Sequence, residues 1–170
     1  MTLQDLPSEF VEKSLSVDDL NLQLSEETGN WHALIGFRLK NSRFQSGANT
    51  ARQETFTTME YDNKIYEQLG FERARFLAAV YEKDMLAEGR WTPAPTPRGM
   101  SGGGLFEVVN GAPGRVAVGT TPVAKLAAIF IECRQPKKDA PGVLLGTRIG
   151  VHLGLIAKYC PRLSSLFVRD

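Results

Sequence analysis

The chain has 170 residues, of which 42% are hydrophobic and 23% charged, a composition typical of one ordinary globular domain. Twenty lysines and arginines against nineteen aspartates and glutamates give a net charge of +1, so no overall field draws the protein to nucleic acid or anionic lipid. The most apolar stretch, residues 123–131, is too short for a membrane helix, and the acidic start lacks the features of a signal peptide. The sequence therefore argues against membrane and nucleic-acid partners and predicts a cytoplasmic protein.

The chain has only two cysteines and two histidines. Cys133 and Cys160 follow neither a metal-ligand spacing nor a disulfide framework, so we expect buried or half-buried free thiols. The two histidines, His32 and His152, limit both metal binding and imidazole catalysis. We expect no metal and no cofactor.

The first half of the chain predicts a lead-in segment followed by strands. Residues 1–30 are acidic with scattered apolar positions, so we expect little core there and one domain over 31–170. Residues 31–37 form an apolar run bounded by polar residues, and residues 51–59 carry β-branched and aromatic side chains; each run predicts a strand. Residues 74–81 fit either a strand or a helix by pattern, and the turn residues close to both ends favour a strand.

A short helix is predicted before this third strand. Asp62 or Asn63 can cap its first turn, and Gly70 supplies a left-handed residue that ends it. Its apolar face would consist of Ile65, Tyr66 and Leu69.

The second half predicts a shaped loop, further strands and a final helix. Residues 91–104 contain three prolines and four glycines, so neither a helix nor the interior of a sheet can continue through them. Four strand-like runs follow: residues 105–109, 115–119, 124–133 and 143–149. Helical spacing then runs from Gly150 to Tyr159, and Pro161 stops it. The pattern predicts an all-β domain, a single six-stranded antiparallel barrel with one inserted helix and a C-terminal helix.

Within the loop, small residues surround one serine, Ser101. A nucleophilic serine needs an exposed hydroxyl, small neighbours, and backbone N–H groups that converge on the developing oxyanion. Gly99 and Gly102 satisfy the second requirement. In the elbow of α/β-hydrolases a buried strand leads directly into the serine, whereas here the preceding residues are rich in proline. The elbow interpretation therefore fails.

The segment resembles the nucleophile loop G-x-S-G-G of the trypsin-like serine peptidases, which lies in the second of their two β-barrels. It is most similar to a bacterial cytoplasmic subgroup with P-x-G-M-S-G-G-G before an apolar pair, as in residues 97–106. Four further segments are similar, in order, to the opening strand, the strand that borders the substrate, the last strand and the terminal helix of that barrel: residues 33–37, 126–132, 146–149 and 150–159. The similarity covers residues 31–161, about the C-terminal half of a two-barrel peptidase.

The resemblance implies a role for each residue of the loop. Ser101 takes the position of the nucleophile, and the N–H groups of Gly99 and Ser101 take that of the oxyanion hole. Gly102 and Gly103 keep the approach open and the turn tight, and Met100 completes the nucleophile loop.

The resemblance also implies where a peptide would bind. Ile131, Glu132 and Cys133 match the strand edge that pairs with an extended substrate, main chain to main chain. Pro95 takes the position at the base of the primary specificity pocket. Because that position is not acidic, a preference for Lys or Arg is not implied.

The general base is missing from the expected place. In the family the histidine and aspartate come from the first barrel, whereas the first thirty residues of this sequence contain no histidine. We therefore expect no first barrel in the chain, and a very weak hydrolase or none when it is alone. An internal triad of His32, Asp62 or Asp84, and Ser101 is disfavoured, and His152 on the terminal helix is a still poorer candidate.

Two functions stay open. The chain is either the half of a serine peptidase that carries the nucleophile, with the histidine and aspartate supplied from elsewhere, or a non-catalytic module that binds peptide or protein. Without a first barrel, an apolar face beside Ser101 would be covered by a second copy of the chain or by another polypeptide.

Overall fold

The computed structural model describes residues 15–24, 30–45, 48–87, 89–109, 111–112, 115–116 and 123–166. Its principal feature is a six-stranded antiparallel sheet. The six strands are β1 (Trp31–Gln45), β2 (Ala48–Met59), β3 (Phe76–Val80), β6 (Gly104–Val109), β9 (Val123–Arg134) and β10 (Val143–Arg148). Their order across the sheet is β2-β1-β6-β9-β10-β3.

The sheet curls so that the end of one outer strand, β2, approaches the other outer strand, β3. Just after β2, Glu60 pairs with Ala79 of β3, and the N–H of Tyr61 donates to the carbonyl of Ala78 at 3.0 Å. The hydroxyl of Thr58 donates to the carbonyl of Val80 at 2.6 Å and adds a side-chain contact across the same seam. The result is a curled half-barrel, and the prediction of an all-β single barrel with short helices is confirmed.

The inserted helix, α1 (Asn63–Leu69), forms for the reasons seen in the sequence. The carboxylate of Asp62 accepts a hydrogen bond from the N–H of Ile65 at 3.0 Å, and Gly70 ends the helix with φ 69°. Tyr66 is the buried residue of this helix, and its ring packs with a small apolar cluster on the outside of the barrel. The other buried members of that cluster are Ala78, Val143 and Leu145.

The C-terminal helix, α2 (Ile149–Tyr159), begins one residue earlier than predicted and ends where expected. The chain does not become irregular after it, because Pro161–Leu166 form a 3₁₀ helix. Proline suits the first position of a helix, where its missing N–H would have had no acceptor.

The core lies inside the barrel. On β1 the buried residues alternate, with His32, Leu34 and Gly36 facing inward. The fully assembled core cluster contains Leu34, Leu77, Ala79, Tyr81, Met100, Leu105, Ala127, Ala128, Phe130 and Leu144. Since Met100 belongs to the loop around Ser101, the core extends directly under the candidate site.

Strand boundaries differ from the sequence prediction at several places. The first two strands are longer than predicted because β1 and β2 pair along almost their whole length, with an irregularity between Phe37 and Ser42. The predicted strand over 74–81 begins only at Phe76, after a turn.

The proline-rich segment is not a loop throughout. Its first residues belong to β5 (Arg90–Pro93), which pairs with an unpredicted strand, β4 (Asp84–Ala87). Pro93 stands at the end of an isolated two-stranded ladder, where the loss of one N–H donor is tolerated.

The predicted strand over 115–119 is also not a barrel strand in its described part. β8 (Arg115–Val116) pairs with β7 (Gly111–Ala112) in a two-stranded ladder of its own, and residues 117–119 lie outside the described residues.

The described part of the lead-in segment lies against the barrel. Leu20 forms a parallel bridge with Leu126, and the N–H of Asn21 donates to the Leu126 carbonyl at 2.9 Å. The side-chain amides of Asn21 and Asn30 both donate to the carboxylate of Glu107 on β6. Residues 1–14 and 25–29 lie outside the described residues.

Candidate active site

The loop that carries Ser101 joins β5 to β6 and is anchored from below. Pro97 is fully buried, and Met100 is only 1% exposed. The N–H of Met100 donates to the Pro97 carbonyl at 3.1 Å, and the N–H of Gly103 donates to the Met100 carbonyl at 2.8 Å. Because Met100 points into the core, the next residue, Ser101, is held at the surface.

Three glycines of the motif occupy positions where a side chain would be strained or would clash with the backbone. Gly99 has φ 85° and Gly102 has φ 91°, which is backbone geometry that residues with a Cβ rarely adopt. Gly103 meets a different constraint, since a Cβ there would lie 2.6 Å from the carbonyl oxygen of Ile35 and 2.9 Å from that of Met100. A side chain at any of these positions would change the path of the loop.

Hydrogen bonds join the loop to β9. The N–H of Gly102 donates to the carbonyl of Phe130, and the N–H of Phe130 donates to the carbonyl of Gly103, each at 2.8 Å. One residue further along β9, the Ile131 carbonyl accepts from the Ser101 hydroxyl at 3.0 Å. The structure therefore places Ser101 directly beside the strand segment that the sequence proposed as the substrate edge.

Two grooves flank Ser101. The larger, of about 1080 Å³, lies between the loop and the end of β9, and its lining includes Pro95, Arg98, Glu132 and Cys133. The smaller, of about 470 Å³, lies between the loop and β1. Because Ser101 also lines the larger groove, an occupant of that groove would lie beside this residue.

The backbone around Ser101 offers unused donors. Among the described residues, the N–H groups of Gly99 and Ser101 have no hydrogen-bond acceptor. Unpaired N–H groups beside an exposed hydroxyl are the type of donor that stabilises an oxygen on which negative charge develops.

None of the residues considered for an internal triad is paired with Ser101 in the described part of the chain. His32 is 1% exposed inside the barrel, and its Nδ1 lies 3.0 Å from the Asn30 carbonyl oxygen. Asp62 caps α1, Asp84 is exposed on β4, and His152 lies on α2. In the described part of the chain, the Ser101 hydroxyl is paired with a carbonyl and with neither an imidazole nor a carboxylate.

The electrostatics of His32 follow from its position. Burial lowers the pKa of its imidazole, while the Asn30 carbonyl and the charge of Glu60 act in the opposite direction. Its Nε2 is buried and has no hydrogen-bond partner among the described residues. His32 is therefore a neutral interior side chain at neutral pH.

The two cysteines lie in different surroundings. Cys133 is half-buried beside the larger groove, and burial, reinforced by the charge of Glu132, raises the pKa of its thiol to about 11. Cys160 is exposed at the end of α2, which corrects the expectation that both thiols are at least half-buried. Both are free cysteines, as expected.

Sequence reasoning missed a buried polar cluster at the start of α1. Glu60 is 4% exposed, and its Oε1 accepts from the Tyr66 hydroxyl at 2.8 Å, from Nε of Arg73 at 3.0 Å and from the Arg148 guanidinium. Burial alone would raise the pKa of Glu60, but these donors and the charge of Arg148 together lower it. The sequence held one signal for this cluster: a charged residue stands directly at the end of each of two strands, Glu60 after β2 and Arg148 at the end of β10.

Sequence reasoning also overlooked the two arginines that line the larger groove, Arg38 and Arg98. Arg98 directly precedes the glycine motif in the chain, which was the one signal for it. Arg38 is far away in sequence, and the pairing of β1 with β6, the strand that follows the loop, brings it near the groove.

Comparison with known proteins identifies no relative. No protein-family model matches the chain, and no curated protein matches it in sequence.

Among the described residues, no three or more His, Cys, Asp and Glu side chains are grouped so that they could hold a metal. No helix in that part of the chain has the length and apolar character needed to cross a membrane.

Proposed function

We propose that this chain is the nucleophile-bearing barrel of a trypsin-like serine peptidase, with Ser101 as the attacking residue. The observation that carries the proposal is the exposed Ser101 hydroxyl beside the N–H groups of Gly99 and Ser101, which lack acceptors among the described residues. The adjoining groove of about 1080 Å³ gives an extended peptide a place to lie.

The proposed reaction is acyl transfer from a peptide bond. The substrate lies along Ile131, Glu132 and Cys133, with its scissile carbonyl above Ser101. The bond from Oγ to the carbonyl carbon forms while the carbonyl oxygen becomes anionic and accepts from the two free N–H groups. The bond to the leaving nitrogen then breaks, and that nitrogen takes the proton that the serine has lost.

Attack requires a change at the hydroxyl and a base. The Ser101 hydroxyl must release the Ile131 carbonyl, to which it donates at 3.0 Å, and transfer its proton. Serine without a base is a weak nucleophile, and enzymes that lose a triad member retain only about 10³–10⁴-fold acceleration over water. Since both histidines of the sequence are engaged away from Ser101 or lie on α2, the base in this proposal is a histidine supplied by an upstream region or a second subunit, and the chain alone is a slow hydrolase.

The proposal is tested by supplying the missing base in solution. The purified chain is treated with a fluorophosphonate, with and without imidazole, and the modified serines are identified by peptide mass spectrometry. We expect slow labelling of Ser101 in buffer and clearly faster labelling with imidazole, because a general base typically contributes about 10²–10⁴-fold. The Ser101→Ala variant should lose the accelerated label.

Ser16 provides an internal control, since its exposed hydroxyl lies at the start of a short 3₁₀ helix (Val17–Asp19) and donates to Asp19. Its labelling reports the reactivity of a serine without an oxyanion site. If Ser101 and Ser16 label at the same rate with and without imidazole, the proposed nucleophile role is wrong.

A non-catalytic peptide-binding module is the second candidate. The observation in its favour is that the Ser101 hydroxyl already has an acceptor, Ile131, so the loop is satisfied without a base. Peptide binding that survives in the Ser101→Ala variant, together with no imidazole-dependent labelling of the original chain, would favour the module over the peptidase.

A further inference from the structure

The larger groove beside Ser101 has an uncompensated positive charge. Three charged side chains are among its described lining residues: Arg38, Arg98 and Glu132. Arg38 is paired with Glu54, with one contact at 2.7 Å, and Glu132 is paired with Arg134 at 2.6 Å. Arg98 is exposed and has no ion pair among the described residues. The guanidinium of Arg98 is therefore available to bind a ligand in the groove.

The rest of the described lining adds no competing negative charge. Pro95 and Pro97 form part of the wall, and the thiol of Cys133 stays protonated at neutral pH because burial raises its pKa. The groove thus combines apolar surface with the donors of the Arg98 guanidinium, a combination that suits a carboxylate on a mostly apolar chain.

We infer that this groove takes peptide segments with an acidic side chain, and that Arg98 determines this specificity. The planar fork of arginine matches the two oxygens of a carboxylate. A lysine side chain in the same place would face Arg98 without a free acid to pair with. The inference rests on the proposed function, because it names the substrate class of the same site.

The test compares three peptides that differ at one position. Each is a six-residue, mostly alanine and proline peptide with acetylated and amidated ends, and carries Glu, Gln or Lys at its fourth residue; binding is measured by titration calorimetry. We expect the Glu peptide to bind about fivefold more tightly than the Gln peptide, the ratio that a solvent-accessible ion pair supports, and the Lys peptide to bind most weakly. The preference should weaken as salt is added.

Two variants separate Arg98 from general charge. Arg98→Gln should bind the Glu and Gln peptides equally, while Arg90→Gln, which removes an exposed arginine of β5 that does not line the groove, should keep the preference. A Gln peptide with a free C-terminal carboxylate should gain no comparable affinity, since the inference concerns a side chain.

Three results would overturn the inference: equal binding of the Glu and Gln peptides, a preference that survives in Arg98→Gln, or no binding of any peptide at millimolar concentration. Failure of the proposed function is a separate outcome. All titrations are repeated with Ser101→Ala to show that peptide binding does not require the hydroxyl. If the original chain binds acidic peptides but shows no imidazole-dependent labelling of Ser101, the inference is retained and the peptidase is rejected.

Discussion

The loop around Ser101 and the cluster around Glu60 use polar groups in opposite ways. In the cluster, one buried carboxylate oxygen accepts from Tyr66, Arg73 and Arg148. In the loop, the N–H groups next to the exposed Ser101 hydroxyl have no acceptor within the described residues. Buried charges that lack partners are very costly, whereas donors at the surface can exchange water for a ligand. The cluster is thus suited to stabilise the barrel, and the loop to bind.

The two regions also owe their rigidity to different forces. The cluster ties the end of β2, helix α1 and the end of β10 together through charged hydrogen bonds. The loop is held by apolar burial of Pro97 and Met100 and by backbone hydrogen bonds to β9. Because packing and backbone anchor the loop, the Ser101 hydroxyl need not serve the fold.

Removing the centre of the cluster should have the largest effect on stability. Glu60→Ala leaves Arg73 and Arg148 without their buried carboxylate, and breaking such a pair costs about 3–5 kcal/mol. We expect a large fall in the urea midpoint, measured by circular dichroism. Glu67→Ala on the exposed side of α1 is the matched control and should change the free energy of unfolding by no more than about 0.5 kcal/mol. Similar midpoints for the two variants would mean that the cluster does not stabilise the barrel.

A methyl group in the loop should have an intermediate effect. In Gly103→Ala the new Cβ meets the carbonyl oxygens of Ile35 and Met100, so we expect a loss of about 1–3 kcal/mol and loss of imidazole-dependent labelling at Ser101. Gly154→Ala is the control, because nothing lies within 4 Å of its Cβ on helix α2, and it should gain about 0.5–1 kcal/mol. The same sign in both variants would show that loop packing is not the constraint.

The smallest expected effect is a pH dependence due to His32. Burial lowers the pKa of this imidazole below the usual 6.5, so the unfolded chain binds a proton more readily than the folded one. The free energy of unfolding should therefore fall as the pH drops below 6.5. His32→Asn should remove that part of the slope in urea titrations between about pH 5 and 7.5.

Two other groups near His32 also change how the free energy of unfolding depends on pH. Glu60, with its lowered pKa, stabilises the fold above the usual glutamate range and loses this effect in more acidic solution. Burial raises the pKa of Glu107, which contributes with the opposite sign. The difference between the original chain and His32→Asn isolates the histidine, and identical slopes would contradict its assignment as a neutral buried group.

Local signals in the sequence were sufficient for helix α1. Asp62 and Gly70 act through groups only a few residues away, so their effect does not depend on the rest of the fold. The same holds for the loop. Its run of glycines indicates backbone conformations that other residues rarely adopt, and Gly99 and Gly102 do have positive φ angles. The extra strand pair β4 and β5 was missed because a proline at a ladder's end is compatible with pairing.

The sequence by itself determined the all-β class, the two helices and the segment around Ser101, because periodicity, caps and glycine conformations act over short distances along the chain. Only the tertiary structure decided that Met100 is buried, that Ser101 donates to Ile131, and that Arg98 has no ion pair among the described residues beside the groove. The physical reason is that burial and charge pairing depend on which residues the curl of the sheet brings into contact. These contacts join residues that are far apart along the chain, so short-range sequence patterns do not predict them.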